Sequence, residues 1–63
     1  MSGTTIRQLR EGFGITQVEL AARLSVTQQY VSKVEKAGRI GELTRRRFER
    51  AISEIAYERM PAA

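Results

Sequence analysis

The sequence has no cysteine, histidine, tryptophan, aspartate or asparagine, and every one of its seven acids is a glutamate. Without cysteine, neither a disulfide nor a thiolate metal site can brace the fold. Without histidine, Ser-His-Asp and Cys-His catalysis, imidazole-ligated metals and histidine pH sensing are all excluded. An enzyme built from this chain would have to work with Glu, Lys, Tyr, Ser and Thr alone. The expectation is therefore a non-enzyme with no metal and no cofactor. No apolar run exceeds three residues, so neither a membrane span nor a secretory core segment is expected, and the default compartment is the cytoplasm.

The chain has 63 residues, which sets the expectation of one small domain over 1–63 with a small core. Eleven bases against seven acids give a net charge of +4. From Lys33 to Arg50 there are seven bases and three acids, an excess equal to the whole net charge. A positive field confined to one stretch favours a polyanion, nucleic acid before an anionic membrane surface.

Alternation of β-branched residues is missing, and the punctuation is helical. Thr5 with Gln8 has the form of a capping box, Ile6 and Leu9 follow at helical spacing, and Gly12 and Gly14 close the segment. Thr16 with Glu19 is a second capping box, opening a helix with Leu20, Ala21 and Leu24 on one face. Thr27 caps a third helix that Gly38 should end in a left-handed conformation. Leu43, Phe48, Ala51, Ile52 and Ile55 form the apolar stripe of a fourth, with no Gly or Pro between Glu42 and Met60. The fold class expected is thus all-α, with four helices at about 5–11, 16–24, 27–37 and 42–59. Phe13 and Ile15, too apolar for a solvated connector, should both plug the core.

The third helix carries the functional signal. At about 100° per residue, Gln28, Gln29, Ser32, Lys33 and Lys36 fall on one side, with Val31 and Val34 on the other. A merely solvated helix face is usually rich in Glu and Lys at i, i+4 spacing; this one has paired amides and no acid. Gln can bond both N6 and N7 of adenine, and Lys can donate to O6 and N7 of guanine in a major groove. Only Ser25 and Val26 separate the second helix from the cap of the third, the tight connection of a helix-turn-helix.

The segment Gln17–Lys36, QVELAARLSVTQQYVSKVEK, resembles the helix-turn-helix of the lambdoid phage repressor and Cro proteins and of bacterial Xre-type regulators. The likeness rests on Gln17, Ala21, Leu24, Val26, the Thr27-Gln28-Gln29 triplet, Val31, Val34 and Glu35, and extends more loosely over Ile6 to Ile15. It implies a four-helix, lambda-repressor-like domain that binds duplex DNA. The positions it assigns to base reading are Gln28, Gln29, Ser32 and Lys33. Those it assigns to DNA phosphates are Gln17, Thr27, Lys36 and Arg39, to which charge patterning adds Arg45 and Arg46. Arg10 and Glu35 stand where the family often has a buried ion pair. Tyr30 is suited to either packing or a phosphate hydrogen bond. Two departures stand out: Ser25 replaces the usual Gly, and no break divides 42–60 where the family usually has a short fourth helix, a Gly and a fifth.

The function this implies is a minimal Cro-type repressor, a homodimer at least on DNA, reading an operator of paired half-sites without a small-molecule effector. One competing class is an antitoxin-type interaction module that binds its partner through the fourth helix. Another is membrane-surface binding by that helix, disfavoured because its stripe is needed for the core and no tryptophan anchors it.

Overall fold

A computed structural model describes residues 2–61. Its elements are α1 (Gly3–Gly12), α2 (Gln17–Leu24), α3 (Gln28–Lys36) and α4 (Glu42–Glu58), with no strand among the described residues. Helices α1 and α2 each pack against both α3 and α4. Ile6, Ile15, Leu20, Val31 and Ile52 are the largest fully enclosed side chains, and Phe48, Ala51 and Ile55 complete the core from α4. None of the helices is long and apolar enough to cross a membrane.

Helix α1 begins two residues before the Thr5 capping box. Ser2 is its N-cap and makes no side-chain capping bond. Tertiary contact sets this start instead: the Gly3 N–H donates to the Ala37 carbonyl at 2.9 Å, so the first turn of α1 abuts the end of α3. A Cβ on Gly3 would stand 2.8 Å from the Glu35 carbonyl oxygen and collide with that of Val34. The same bond accounts for the exit from α3. Ala37 is extended (φ −70°, ψ 135°), and Gly38 does not adopt the left-handed conformation expected of it.

The closures of α1 and α2 share one pattern. After α1, Ile15 N–H donates to Arg10 C=O and Gly14 N–H to Glu11 C=O; after α2, Val26 donates to Ala21 and Ser25 to Ala22. Gly14 (φ 69°) and Ser25 (φ 58°) supply the left-handed residue that this motif needs. The reversal at Gly14 turns Ile15 into the core. It leaves Phe13 outside at 52% exposed, contrary to the expectation that both are plugs. Leu43 is also outside, 71% exposed. It precedes Phe48 by five residues, about 140° off the stripe that Phe48, Ala51, Ile52 and Ile55 define. Leu9, expected on the inner face of α1, is partly exposed.

Capping is reciprocal at α2, where Thr16 Oγ1 accepts from Glu19 N–H at 3.1 Å and Glu19 Oε1 from Thr16 N–H at 3.0 Å. Thr27 Oγ1 caps α3 by accepting from Tyr30 N–H. Arg23 joins α2 to α4 through Glu58 at 2.7 Å and Glu54 at 3.6 Å, and Arg59 reaches back to Glu19. The Arg23 hydrogen bond holds the Glu58 carboxyl below its ordinary range. This tie is therefore present above the unfolded carboxyl range and lost as pH falls through the lower folded value.

The closures are testable by denaturation. Ser25→Gly relieves a left-handed cost of roughly 1–2 kcal/mol, offset by about 0.5–1 kcal/mol of glycine's unfolded freedom. A net gain between zero and about 1.5 kcal/mol is expected. Gly3→Ala should instead cost about 1–3 kcal/mol, as overpacking does. A Gly3→Ala midpoint equal to wild type would show that α1 does not dock this closely.

Candidate nucleic-acid interface

The site is assembled on a buried ion pair. Arg10 in α1 is 8% exposed and Glu35 in α3 is 3% exposed. Arg10 Nε donates to Glu35 Oε2 at 2.6 Å and Nη2 to Oε1 at 3.0 Å. Nη1 donates to the Ile15 carbonyl at 2.7 Å, so one guanidinium fastens α1, the connector to α2 and α3. The hydrogen bond to Glu35 raises the Arg10 pKa further, outweighing desolvation, and the group stays charged.

A relay leads outward from this pair. Glu35 Oε1 also accepts from Gln17 Nε2 at 3.0 Å, and Gln17 Oε1 accepts from Gln28 Nε2 at 3.5 Å. Gln17 is thus half-buried at the start of α2, with its amide between Glu35 and Gln28. Among the described residues no buried side-chain nitrogen or oxygen lacks a partner.

Outside the relay, Gln29, Ser32, Lys33 and Lys36 line an open groove of about 560 Å³ along α3. A second cleft, of about 200 Å³, lies between α1, α2 and α3 and is walled by Arg7, Gln17, Ser32 and Lys36 above the ion pair. Gln28, Gln29, Lys33 and Lys36 are exposed, and Ser32 is half-buried. The four proposed base-reading side chains therefore share one face, with Lys36 beside them. Thr27 is exposed at the α3 N-cap, and Arg39 is exposed in the α3–α4 connector.

Ion pairing sorts the charges. All seven glutamates lie within 4.0 Å of an arginine: Glu11 of Arg7, Glu19 of Arg59, Glu35 of Arg10, Glu42 and Glu49 of Arg45, and Glu54 and Glu58 of Arg23. Arg46 shares Glu42 and Arg50 shares Glu54. Among the described residues, the cations left without a carboxylate are Lys33, Lys36, Arg39 and Arg47. Arg45 and Arg46, the α4 candidates for phosphate, are both engaged, at 2.7 Å to Glu49 and 3.0 Å to Glu42. Arg47 is not among the phosphate candidates expected from the sequence, yet the sequence carries a signal for it. Arg45 and Arg46 each have a glutamate four residues away, whereas Arg47 has Leu43 and Ala51.

The arrangement gives hydrogen-bonding amides at the N-terminal end of the exposed face of α3, cations toward its C-terminal end, and no carboxylate in the groove. The first can read base edges; the second attract a phosphodiester backbone. A family model described as helix-turn-helix matches residues 6–45, from the first core residue of α1 into the first turn of α4. The match spans well over half the chain, and the protein belongs to the helix-turn-helix family of DNA-binding regulators. No curated protein and no solved structure matches the chain.

Breaking the buried pair from one side strands the other charge, at about 3–5 kcal/mol. Arg10→Met should therefore be severely destabilised, with much of the loss recovered in Arg10→Met/Glu35→Leu. Thermal melting of the three proteins checks this; an Arg10→Met midpoint within a few degrees of wild type would overturn it.

Proposed function

We propose that this protein is a sequence-specific regulator of the Cro-type repressor kind, a cytoplasmic protein that reads the major groove of an operator with α3. The observation that carries this reading is the acid-free face of Gln28, Gln29, Ser32, Lys33 and Lys36 in a chain whose glutamates are all paired elsewhere. Gln28 has two amide hydrogens. One is directed at Gln17, which leaves the other, with Oε1, for the N7 and N6 positions of an adenine. Gln29 and Ser32 face neighbouring base pairs, and Lys33, a donor only, favours guanine O6/N7 nearer the operator centre. Around them, the Gln17 backbone N–H at the α2 N-terminus, Thr27, Lys36 and Arg39 take phosphates, with Arg45 and Arg46 available once their ion pairs open. The partner is a duplex with two half-sites, engaged by a homodimer formed at the latest on DNA and needing no effector.

One observation favours a second reading, an antitoxin-type interaction module. Phe13, Tyr57 and Met60 are exposed around a groove completed by Ala56 and Pro61 at the C-terminal end of α4. Copurification from the native host separates it from the first: a stoichiometric heterologous partner seated on this groove supports the module, and recovery of the protein alone opposes it.

Enrichment from random duplex DNA tests the leading reading directly. Wild-type protein should select a two-fold symmetric consensus. Gln28→Ala should relax one base preference per half-site, a discrimination of about 1–3 kcal/mol, and leave the others intact. An unaltered consensus would remove Gln28 from base reading, and no enrichment at all would sink the function.

Affinity measured across salt concentrations tests the phosphate assignments. Arg39→Ala should flatten the slope of log K against log salt by about 0.9 per half-site and preserve the consensus. An unchanged slope would take Arg39 out of the interface.

A further inference from the structure

The charge distribution leaves one cation unexplained. Lys33, Lys36 and Arg39 belong to α3 and the connector after it, but Arg47 projects from α4 with no carboxylate within 4.0 Å among the described residues. Its helical neighbours at three and four residues are Leu43, Thr44, Arg50 and Ala51, none of them acidic. Arg47 lines a small cavity of about 60 Å³ together with Thr44 and Phe48 of α4, Leu24 and Val26 at the helix-turn-helix corner, and Tyr30 of α3. Arg47 and Tyr30 are both exposed there, and the Tyr30 ring is held against Phe48 with centroids 6.2 Å apart. Among the described residues, neither the Tyr30 nor the Thr44 hydroxyl has a protein hydrogen-bond partner.

Position around α3 gives this cluster its meaning. At about 100° per residue, Tyr30 lies about 60° beyond Lys33. It sits on the flank of the base-reading face away from Gln17, which contacts the other flank through Gln28. A helix seated in a major groove has a phosphodiester backbone on each side. One flank is served by the N-terminus of α2 and Lys36; the opposite flank presents Arg47, Tyr30 and Thr44. A guanidinium with adjacent hydroxyl donors is well matched to a phosphate oxygen pair.

We propose that Arg47, with the Tyr30 and Thr44 hydroxyls, is a second backbone-phosphate site, gripping the DNA strand on the side of α3 away from Gln17. The proposal rests on the DNA-binding function above, and it adds a positioning contact: the recognition helix is held from both strands, which fixes its rotation in the groove. Arg47 reads no base.

The experiment is a scan of neutral methylphosphonate substitutions along the selected duplex, with wild type and Arg47→Gln, a variant that keeps most of the aliphatic stem. At one phosphate per half-site, the neutral linkage should weaken wild type by ~10-fold, the scale of a charge-assisted hydrogen bond. At that same phosphate Arg47→Gln should lose almost nothing further. Its salt slope should fall by about 0.9 per half-site with an unchanged consensus. Tyr30→Phe should weaken binding without altering the slope. Identical methylphosphonate profiles for wild type and Arg47→Gln would overturn the phosphate site while leaving sequence-specific binding intact. Failure of the wild-type protein to bind any selected duplex would instead remove the function on which the site depends. Arg47 is exposed and unpaired, so Arg47→Gln should melt with wild type, and a matched melting curve keeps a folding defect out of the comparison.

Discussion

Everything in this molecule hangs on one guanidinium–carboxylate pair. Burying two charges costs several kcal/mol per ion unless every lone pair and proton finds a partner. Here the requirement is met by Arg10 bonding both oxygens of Glu35 and the Ile15 carbonyl, and by Gln17 adding a donor to Glu35. Satisfying the pair therefore fixes three things at once: the angle between α1 and α3, the path of the connector between α1 and α2, and the amide of Gln17. Through Gln17 the constraint reaches Gln28. Gln28, the first base reader of the proposed function, is consequently oriented by the same network that holds the domain folded. A hydrophobic replacement could match the pair in stability, but it would leave Gln17 and Gln28 free to turn. Geometry at the surface is what a polar network here supplies and an apolar core does not.

The same economy governs the surface. With all seven glutamates consumed in ion pairs, the net charge of +4 is carried by Lys33, Lys36, Arg39 and Arg47. Individually, the exposed pairs contribute little to stability. Their larger effect is to cancel the field of α4 and α2 locally, so that the uncompensated field issues from α3, the connector after it and Arg47 of α4. In the proposed reading, affinity and specificity are divided between residue types: cations draw the backbone in, and amides discriminate among base edges.

Much of this was legible in the sequence where the cause is local. The Thr16 capping box, the Thr27 cap and the stripe of Phe48, Ala51, Ile52 and Ile55 depend on residues within one or two turns, and they form where the pattern puts them. What escaped depends on parts of the chain far apart in sequence. Helix α1 starts at Gly3 because that residue meets α3, and Gly38 is not left-handed because Ala37 gives its carbonyl to Gly3. Phe13 resembled a core residue by type, but its side is decided by the chain reversal at Gly14. Arg47 is a different case, since the i, i+4 spacings that occupy Arg45 and Arg46 are in the sequence and distinguish it from them. A run of three arginines conceals this when it is treated as one basic patch.

Helix α3 also shows how folding and binding pull on the same positions. The positive end of a helix dipole favours acids in the first turn, and the negative end favours cations in the last. Helices α2 and α4 follow the rule at their starts with Glu19 and Glu42. Helix α3 follows it only at its end, with Lys33 and Lys36, and has no acid in its first turn. A glutamate at position 28 or 29 would stabilise the isolated helix by a few tenths of a kcal/mol, up to about 1 kcal/mol. In the proposed reading it would also aim a carboxylate at the negatively charged groove that this end enters. Glutamine avoids that repulsion and offers the donors and acceptors that a base edge would require, while the dipole stays unopposed and would favour the approach of phosphate. The cations at the other end satisfy both demands together. Helix α3 is thus less stable alone than its neighbours' pattern would make it, and it relies on Thr27, Val31, Val34 and the Arg10–Glu35 pair to remain formed.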